Sequence, residues 1–211
     1  MKGIMTATSL LTVIQLTVIL LAAMHLAAGL AVAQDWVIET VDPSVNVGYY
    51  SSIALDSQGL KHISYYNAYN QALKYAHWTG SDWDICSVDC NPPLGHVGQH
   101  TSIALDSNDY PHISYYVGGG GGALRYARWD GSAWQIATVE TGYEKLYTSI
   151  ALDSSGHPHI SYCDEPPGDL KYAYWDGSDW HITIVEDGFC SGYCTSIALD
   201  SSEYPHISYI D

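Results

Sequence analysis

Residues 149–162 read S-I-A-L-D-S-S-G-H-P-H-I-S-Y, and close copies of this stretch occur at three other places in the chain. The opening phrase S-I-A-L-D-S begins at Ser52, Ser102, Ser149 and Ser196. The closing phrase H-I-S-Y begins at His62, His112, His159 and His206. The leucine of the opening phrase stands at positions 55, 105, 152 and 199, which are 50, 47 and 47 residues apart. This regular period indicates tandem copies of one structural unit.

Each unit divides into four short segments that are rich in Ile, Tyr, Trp and Val and are separated by turn residues, a pattern typical of β-strands. Strand A is S-I-A-L-D and strand B is H-I-S-Y. Strand C covers residues 73–78, 124–129 and 170–175, and strand D begins at Trp36, Trp83, Trp134 and Trp180. The link from A to B opens on Asp and closes on Pro in 153–158, which favours a tight turn. The Asp-Gly pairs at 130–131 and 176–177 favour a hairpin between C and D.

Four antiparallel strands in a unit of this length, repeated in tandem, predict an all-β fold, namely a β-propeller of four-stranded blades. The units resemble the blades of exported prokaryotic propeller-repeat proteins that carry the phrase A-L-D-S-x-G-x-P-H-I-S-Y, and more distantly NHL-type repeats. The resemblance covers the chain from Trp36 to its C-terminus. It implies little about activity, because propellers serve as lectins, hydrolases and scaffolds.

The order of strands predicts an incomplete last blade. The sequence runs D, then A-B-C-D three times, then A-B, which amounts to 3.5 to 4 blades. In a closed propeller, residues 36–41 would serve as strand D of the last blade, but that blade has no strand C. Unpaired edges recruit other chains or aggregate. We therefore expect a fragment of a longer propeller, a homo-oligomer in which a neighbouring strand fills the gap, or a strained four-bladed ring.

The N-terminal segment and the charge indicate where the protein acts. Residues 1–33 read as a signal peptide, with Lys2 before a long apolar run and an A-V-A cleavage site at 31–33. An uncleaved membrane anchor is the alternative. Residues 34–211 then form an extracellular or cell-surface propeller. The chain has 23 acidic residues against 7 Lys and Arg, a formal charge of −16, which argues against a nucleic-acid partner.

Residues that do not repeat are the candidates for function. A side chain that recurs in every blade meets the same surroundings each time, so the H-I-S-Y histidines are expected to be structural. The D-to-A and B-to-C connections vary, and strand alternation places both on one face, here called the loop face. The A-to-B and C-to-D turns occupy the opposite turn face. The loop-face residues expected to bind a ligand are Tyr49, Tyr50, Tyr69, His96, His100, Tyr143, Tyr147 and Tyr193.

Tyrosine rings with polar tips suit sugar faces and protein partners. The sequence lacks a Ser-His-Asp elbow and a cofactor fingerprint. We therefore predict a noncatalytic extracellular module that recognises glycan or protein through its loop face. A propeller-type glycoside hydrolase is one alternative, with Glu144 paired with Glu165 or Asp187. A structural surface or filament subunit completed by strand exchange is another.

The five cysteines suggest disulfides in an exported protein. The simplest pairing joins Cys86 to Cys90 and Cys190 to Cys194, and leaves Cys163 as a buried thiol. An alternative reading is a metal site formed by Cys86, Cys90, His96 and His100, although its spacing is shorter than that of zinc fingers. No cofactor is expected, except that Asp164, Glu165 and Asp169 could bind calcium.

Overall fold

The computed structural model describes residues 36–90, 95–166, 168–188 and 194–210. The chain divides into two units, residues 1–39 and 40–211. Of the first unit only residues 36–39 are described, and they carry no strand. The predicted signal peptide or anchor at 1–33 lies outside the described residues. The described part of the chain contains no helix with the length and hydrophobicity needed to cross a membrane.

The second unit is all-β, and its strands form successive antiparallel blades. Within the described residues, three sheets have four strands and one has two, in the orders β1-β2-β3-β4, β5-β6-β7-β8, β9-β10-β11-β12 and β13-β14. The strands are β1 (Tyr49–Leu55), β2 (Lys61–Asn67), β3 (Ala72–Trp78), β4 (Trp83–Asp89), β5 (Val97–Leu105), β6 (Pro111–Val117), β7 (Ala123–Trp129), β8 (Trp134–Thr141), β9 (Glu144–Leu152), β10 (Pro158–Glu165), β11 (Asp169–Trp175), β12 (Trp180–Glu186), β13 (Ser196–Leu199) and β14 (Pro205–Ser208). The predicted propeller with an incomplete last blade is confirmed. We number the four sheets blades 1 to 4.

The turn residues act as the sequence predicts. Asp56 Oδ1 accepts the backbone N–H groups of Gln58 and Leu60, at 2.9 and 2.7 Å, and so closes the A-to-B turn. Asp130 Oδ1 accepts the N–H groups of Ser132 and Ala133, both at 2.9 Å, in the C-to-D hairpin. Aspartates make equivalent bonds in the A-to-B turns of blades 2 to 4 and in the C-to-D turn of blade 3, so side-chain acceptors fix these strand connections.

The hydrophobic core lies between blades. Ile103, Ile150 and Ile197, at the same place in successive A strands, are only 7%, 7% and 8% exposed. Trp134, at the start of a D strand, contacts the ring of Tyr75 in the preceding blade at 5.3 Å. Trp180 contacts Tyr126 in the same way at 5.5 Å. Apolar side chains of each blade therefore cover the flank of the next, which stabilises the stack.

Serine and threonine side chains bond neighbouring blades together. Ser52 Oγ accepts the backbone N–H of Ile103 at 3.2 Å, and Ser102 and Ser149 repeat the bond in the next two blades. Thr101 donates to Ser64 Oγ at 2.9 Å across the same boundary. These repeated polar residues satisfy buried groups of the fold.

The repeated histidines are also structural. His62 Nδ1 and the Tyr75 hydroxyl share a hydrogen bond of 2.5 Å, and His112 and His159 form the same bond, each at 2.6 Å, with tyrosines of their own C strands. Each imidazole also faces the aspartate of its A-to-B turn. The tyrosine partner is not apparent from the repeat phrases, because it lies in strand C.

A third repeated contact joins a strand B tyrosine to an acid from the segment before its blade. The hydroxyl of Tyr115 donates to Asp89 Oδ2 at 2.7 Å, and Arg125 Nη1 donates to the same oxygen at 2.9 Å. Tyr162 and Lys171 both donate to Glu140 at 2.8 Å, but to different oxygens of the carboxylate, Oε2 and Oε1. Burial and the neighbouring carboxylate raise the pKa of Tyr115 well above its ordinary value, so it donates as a neutral phenol.

Two sequence predictions are wrong in the structure. Residues 36–41 form no strand, and Trp36 is 96% exposed. The predicted disulfides are also not formed. Cys86, Cys90 and Cys194 are free thiols, whereas Cys163 is disulfide-bonded instead of free. Cys190 lies outside the described residues.

Candidate functional site

Four residues at equivalent places before S-I-A-L-D share a left-handed backbone. The angle φ is 55° at Tyr50, 52° at His100, 52° at Tyr147 and 46° at Cys194, and we call these the bulge residues. The pairing of each of the first three A strands with its B strand shifts register here, as in a β-bulge. This conformation costs a non-glycine residue about 1 kcal/mol or more and is concentrated at functional sites. The backbone repeats, but the side chains do not.

The aromatic bulge residues contact one another from blade to blade. The rings of Tyr50 and His100 lie 4.2 Å apart, and those of His100 and Tyr147 lie 4.5 Å apart. Burial lowers the pKa of His100 to about 4, so its imidazole is neutral at physiological pH. Three of the residues expected on the loop face therefore form one aromatic row across blades 1 to 3.

His96 is linked to the aromatic row by Tyr66, a residue that was not expected in the site from the sequence. Its Nδ1 and the hydroxyl of Tyr66 share a hydrogen bond of 2.5 Å. The ring of Tyr66 lies 6.3 Å from that of Tyr50. Tyr66 was missed because it directly follows H-I-S-Y in strand B, where Tyr116 and Cys163 are its equivalents.

The remaining expected residues are dispersed. Tyr49 pairs with Tyr66 across β1 and β2 and is half-exposed. Tyr69 is exposed in the loop between β2 and β3. Tyr143 lines a pocket described next, and Tyr193 lies outside the described residues.

A loop-face cavity lies between blades 2 and 3 and has a volume of about 710 Å³. We call it the loop-face pocket. It is lined by Tyr116, residues 119–122, Gly142, Tyr143, Glu144, Glu165 and Pro166. Glu144 and Glu165 are direct cross-strand partners in β9 and β10, so both carboxylates belong to one blade. The ring of Tyr143 is 68% exposed. The pocket thus combines an accessible aromatic face with two carboxylates.

Glycine shapes this pocket. Gly122 has φ of 71°, and a Cβ atom there would lie 2.3 Å from the carbonyl oxygen of Gly142. The N–H of Gly142 donates to the carbonyl of Gly122 at 3.2 Å. The B-to-C loop and the following D-to-A loop can therefore approach this closely only because Gly122 carries no side chain.

Buried ion pairs hold the strands behind the pocket. Lys145, which follows Glu144, is 2% exposed and donates to Asp164 Oδ1. Lys171 Nζ lies 2.5 Å from Asp164 Oδ2 and 2.8 Å from Glu140 Oε1. The two ammonium groups balance the two carboxylates, as buried charges require. Because both oxygens of Asp164 are engaged by lysines, this carboxylate is poorly suited to calcium.

A second cavity of about 500 Å³ opens on the turn face between blades 2 and 3. We call it the turn-face pocket. Its side chains include Tyr126, Arg128, Gln135, His157, Trp175 and Trp180. The turns of this face are nearly constant in length, so no function is expected there from the sequence.

The geometry does not support the hypothesis of a metal site formed by Cys86, Cys90, His96 and His100. Cys86 packs against the core between blades 1 and 2, whereas His96 bonds to Tyr66 and His100 lies in the aromatic row. Within the described ranges, the only group of three or more His, Cys, Asp or Glu side chains with ligand atoms mutually within 4.8 Å is Asp56, His62 and His77.

Comparison with known proteins yields structural neighbours only. No family model matches the chain, and no curated protein matches it. The Aleuria aurantia lectin, solved in complex with Fucalpha1-6GlcNAc, is 16% identical, with a TM-score of 0.50 over 74% of this chain and 52% of that chain. A fucose lectin from Kordia zhangzhouensis is 21% identical, with a TM-score of 0.47 over 65% of this chain and 99% of that chain.

A putative gluconolactonase is 12% identical, with a TM-score of 0.47 over 74% of this chain and 56% of that chain. The chain spans about half the length of the Aleuria aurantia lectin. At these identities the likeness concerns the fold alone. The likeness to the Aleuria aurantia lectin agrees with the architecture seen here, that of a β-propeller.

Proposed function

We propose that the chain is a noncatalytic carbohydrate-binding propeller whose ligand occupies the loop-face pocket. The observation that carries the proposal is the placement of the exposed Tyr143 ring beside Glu144 and Glu165 in one cavity. An aromatic face packs against the C–H groups of a sugar ring, and carboxylate oxygens accept hydrogen bonds from its hydroxyls. Pre-formed clefts with a few convergent polar groups are typical of small-molecule sites.

The charge of the pocket points to neutral glycans. Its lining includes two glutamates and no basic side chain. The lysine nearest in sequence, Lys145, is engaged by Asp164 behind the pocket. Because like charges repel in a partly enclosed site, sialylated and uronic-acid glycans should bind poorly. The chain as a whole, at −16, adds to this preference.

The fold supports the proposal at a general level, since the Aleuria aurantia lectin is a propeller crystallised with a fucosylated disaccharide. An extracellular or surface location, which we also propose, would bring the pocket into contact with glycans. Fucosylated and unfucosylated oligosaccharides therefore both belong among the probes.

The test is a glycan array with the full chain, followed by calorimetry on the best ligand. Tyr143→Ala should weaken binding by about fivefold, since an aromatic contact is worth about 1 kcal/mol and 1.4 kcal/mol corresponds to tenfold. Tyr69→Ala, which removes an equally exposed tyrosine from another blade, should leave affinity unchanged. Binding that is insensitive to Tyr143→Ala but lost in Arg128→Ala would move the site to the turn-face pocket. Absence of any glycan binding would refute the proposal.

Glycoside hydrolysis is the second candidate, because Glu144 and Glu165 line the same cavity. A pair of carboxylates can serve as acid and nucleophile or as acid and base. An enzyme should turn over aryl glycosides and lose activity in both Glu144→Gln and Glu165→Gln. The binding proposal predicts no turnover by the wild type.

A structural subunit is the third candidate, because one flank of blade 1 is exposed within the described part of the chain. Ile53 is 60% exposed, whereas its equivalents in blades 2 to 4 are at most 8% exposed. At the other end of the stack, Ser196 is the equivalent of Ser52, whose hydroxyl accepts the backbone N–H of Ile103. Blade 1 of a second copy could therefore dock on β13 and β14 with the bonds used between blades.

Analytical ultracentrifugation over a range of concentrations tests this assembly. Ile53→Asp should keep the chain monomeric, and Ile136→Asp, at an exposed position of β8, should leave association unchanged. Association that both variants retain would contradict head-to-tail docking through blade 1.

A further inference from the structure

Blade 1 differs from the other blades in the residue opposite its structural histidine. His62 pairs with His77 across β2 and β3, whereas the equivalents of His77 are Arg128 in blade 2 and Tyr174 in blade 3. The imidazole rings of His62 and His77 lie 4.4 Å apart. Two imidazoles are therefore direct cross-strand partners on adjacent strands, a pairing found in no other described blade.

The buried imidazole of His62 has one ring nitrogen without a hydrogen bond. Nδ1 shares its bond with Tyr75, but Nε2 is buried and has no hydrogen-bond partner. The nearest carboxylate oxygen, Asp56 Oδ2, is 3.6 Å away, beyond hydrogen-bonding distance. Leaving a buried polar atom unsatisfied costs about 1–3 kcal/mol, so native structures usually provide a partner.

Asp56 is held so that one oxygen stays available. Its Oδ1 accepts two backbone N–H groups of the A-to-B turn, which fixes the carboxylate, while Oδ2 points toward His62. One ligand atom each from Asp56, His62 and His77 lie within 4.8 Å of one another. Tyr75 on Nδ1 of His62 is the type of outer partner that orients a metal-bound imidazole.

We propose that Asp56, His62 and His77 bind one divalent transition-metal ion of the zinc type. Two imidazoles and one carboxylate are a common zinc ligand set, with a fourth position left for water or a ligand. Zinc–ligand distances of about 2.0–2.2 Å require the three atoms to come closer by about 1 Å. His77 is only partly buried, so its side chain can make this adjustment. The net charge of −16 favours a cation at this surface.

The experiment uses full-length protein without a histidine tag, stripped with a chelator and titrated with Zn²⁺ by calorimetry. We expect one site per chain, and the same site should give visible absorption bands with Co²⁺. His77→Tyr, which installs the residue of blade 3, should weaken Zn²⁺ binding by at least ~100-fold, beyond the ~10–100-fold typical of losing an outer partner. His77→Arg, the residue of blade 2, should do the same if the tyrosine variant folds poorly.

His181→Gln is the matched control. It removes an exposed imidazole opposite Tyr174 in blade 3 and installs the residue found at that place in blade 2, Gln135. It should leave Zn²⁺ affinity unchanged. The proposal is overturned if the wild type binds no Zn²⁺ at micromolar concentration, or if folded His77→Tyr and His77→Arg proteins bind as tightly as the wild type. Either result would mean that the Asp56–His62 pair of blade 1 is structural only.

Discussion

Removing the hydroxyl of Tyr115 should destabilise the contact between blades 1 and 2. This side chain is fully buried, and its hydroxyl donates to Asp89 at 2.7 Å. Tyr115→Phe keeps the ring but leaves the Asp89 carboxylate with Arg125 as its bonded side chain. Hydrogen bonds to charged groups contribute about 1.5–3 kcal/mol. We therefore expect the free energy of unfolding to fall by about 2 kcal/mol.

Urea unfolding followed by tryptophan fluorescence measures this loss. With a slope of about 2 kcal/mol/M for a domain of this size, the midpoint should fall by about 1 M. Tyr116→Phe is the matched control, since Tyr116 is the next residue and is also buried, but it lines the loop-face pocket. A midpoint change below about 0.3 M for Tyr115→Phe, or an equal loss in both variants, would refute the assigned role of the Tyr115–Asp89 bond.

Three further predictions follow from individual side chains. Because the folded pKa of His100, about 4, lies below its unfolded value of 6.5, the unfolded state binds more protons between these values. The free energy of unfolding should thus fall by up to about 2 kcal/mol as pH drops from 7.5 to 5. His100→Tyr should remove that part of the pH dependence in urea titrations. A pH profile that is the same in the variant and the wild type would contradict the prediction. Gly98→Ala should lower the free energy of unfolding by at least ~2 kcal/mol, because φ is 102° and a Cβ atom would lie 2.6 Å from Leu73 Cα. An unaltered midpoint in thermal or urea unfolding would count against this geometry. In a thiol-reagent assay, the exposed Cys90 should react quickly and Cys86 slowly, because burial raises the pKa of the Cys86 thiol. Cys90→Ser should therefore remove a fast-reacting thiol, whereas Cys86→Ser should not.

The repeat predicts the blades well because its signals are local. The aspartates of the A-to-B turns and the Asp-Gly hairpins act within a few residues, and those contacts are present as expected. The starts of the A strands were harder to predict. β9 begins at Glu144, five residues before Ser149, because the left-handed residue Tyr147 interrupts the alternation without ending the strand.

The cysteine pairing failed because proximity in sequence does not give side-chain direction. Cys86 lies in the middle of β4 and packs against the core between blades, whereas Cys90 follows the strand and is exposed. Similarly, the segment at 36–41 has the composition of a strand, but a strand forms only where a neighbour offers hydrogen bonds.

The candidate site was only partly predictable. Tyr50, His100 and Tyr147 were selected from the sequence because their loops vary, and the structure brings them into contact. The loop-face pocket depends instead on Gly122 and Gly142 approaching across two blades, which no pattern within one repeat reveals. His77 was overlooked because it belongs to a repeated strand, where its departure from the equivalents in blades 2 and 3 is visible only by alignment of the repeats.

The bulge residues have a consequence for engineering. A constant backbone carries Tyr, His, Tyr and Cys at four symmetric places, so the sheets already tolerate several side-chain chemistries there. Randomising these codons together should yield a library of folded variants that differ in the side chains of the aromatic row. New binding specificities could then be selected without altering the hydrogen bonds that join one blade to the next.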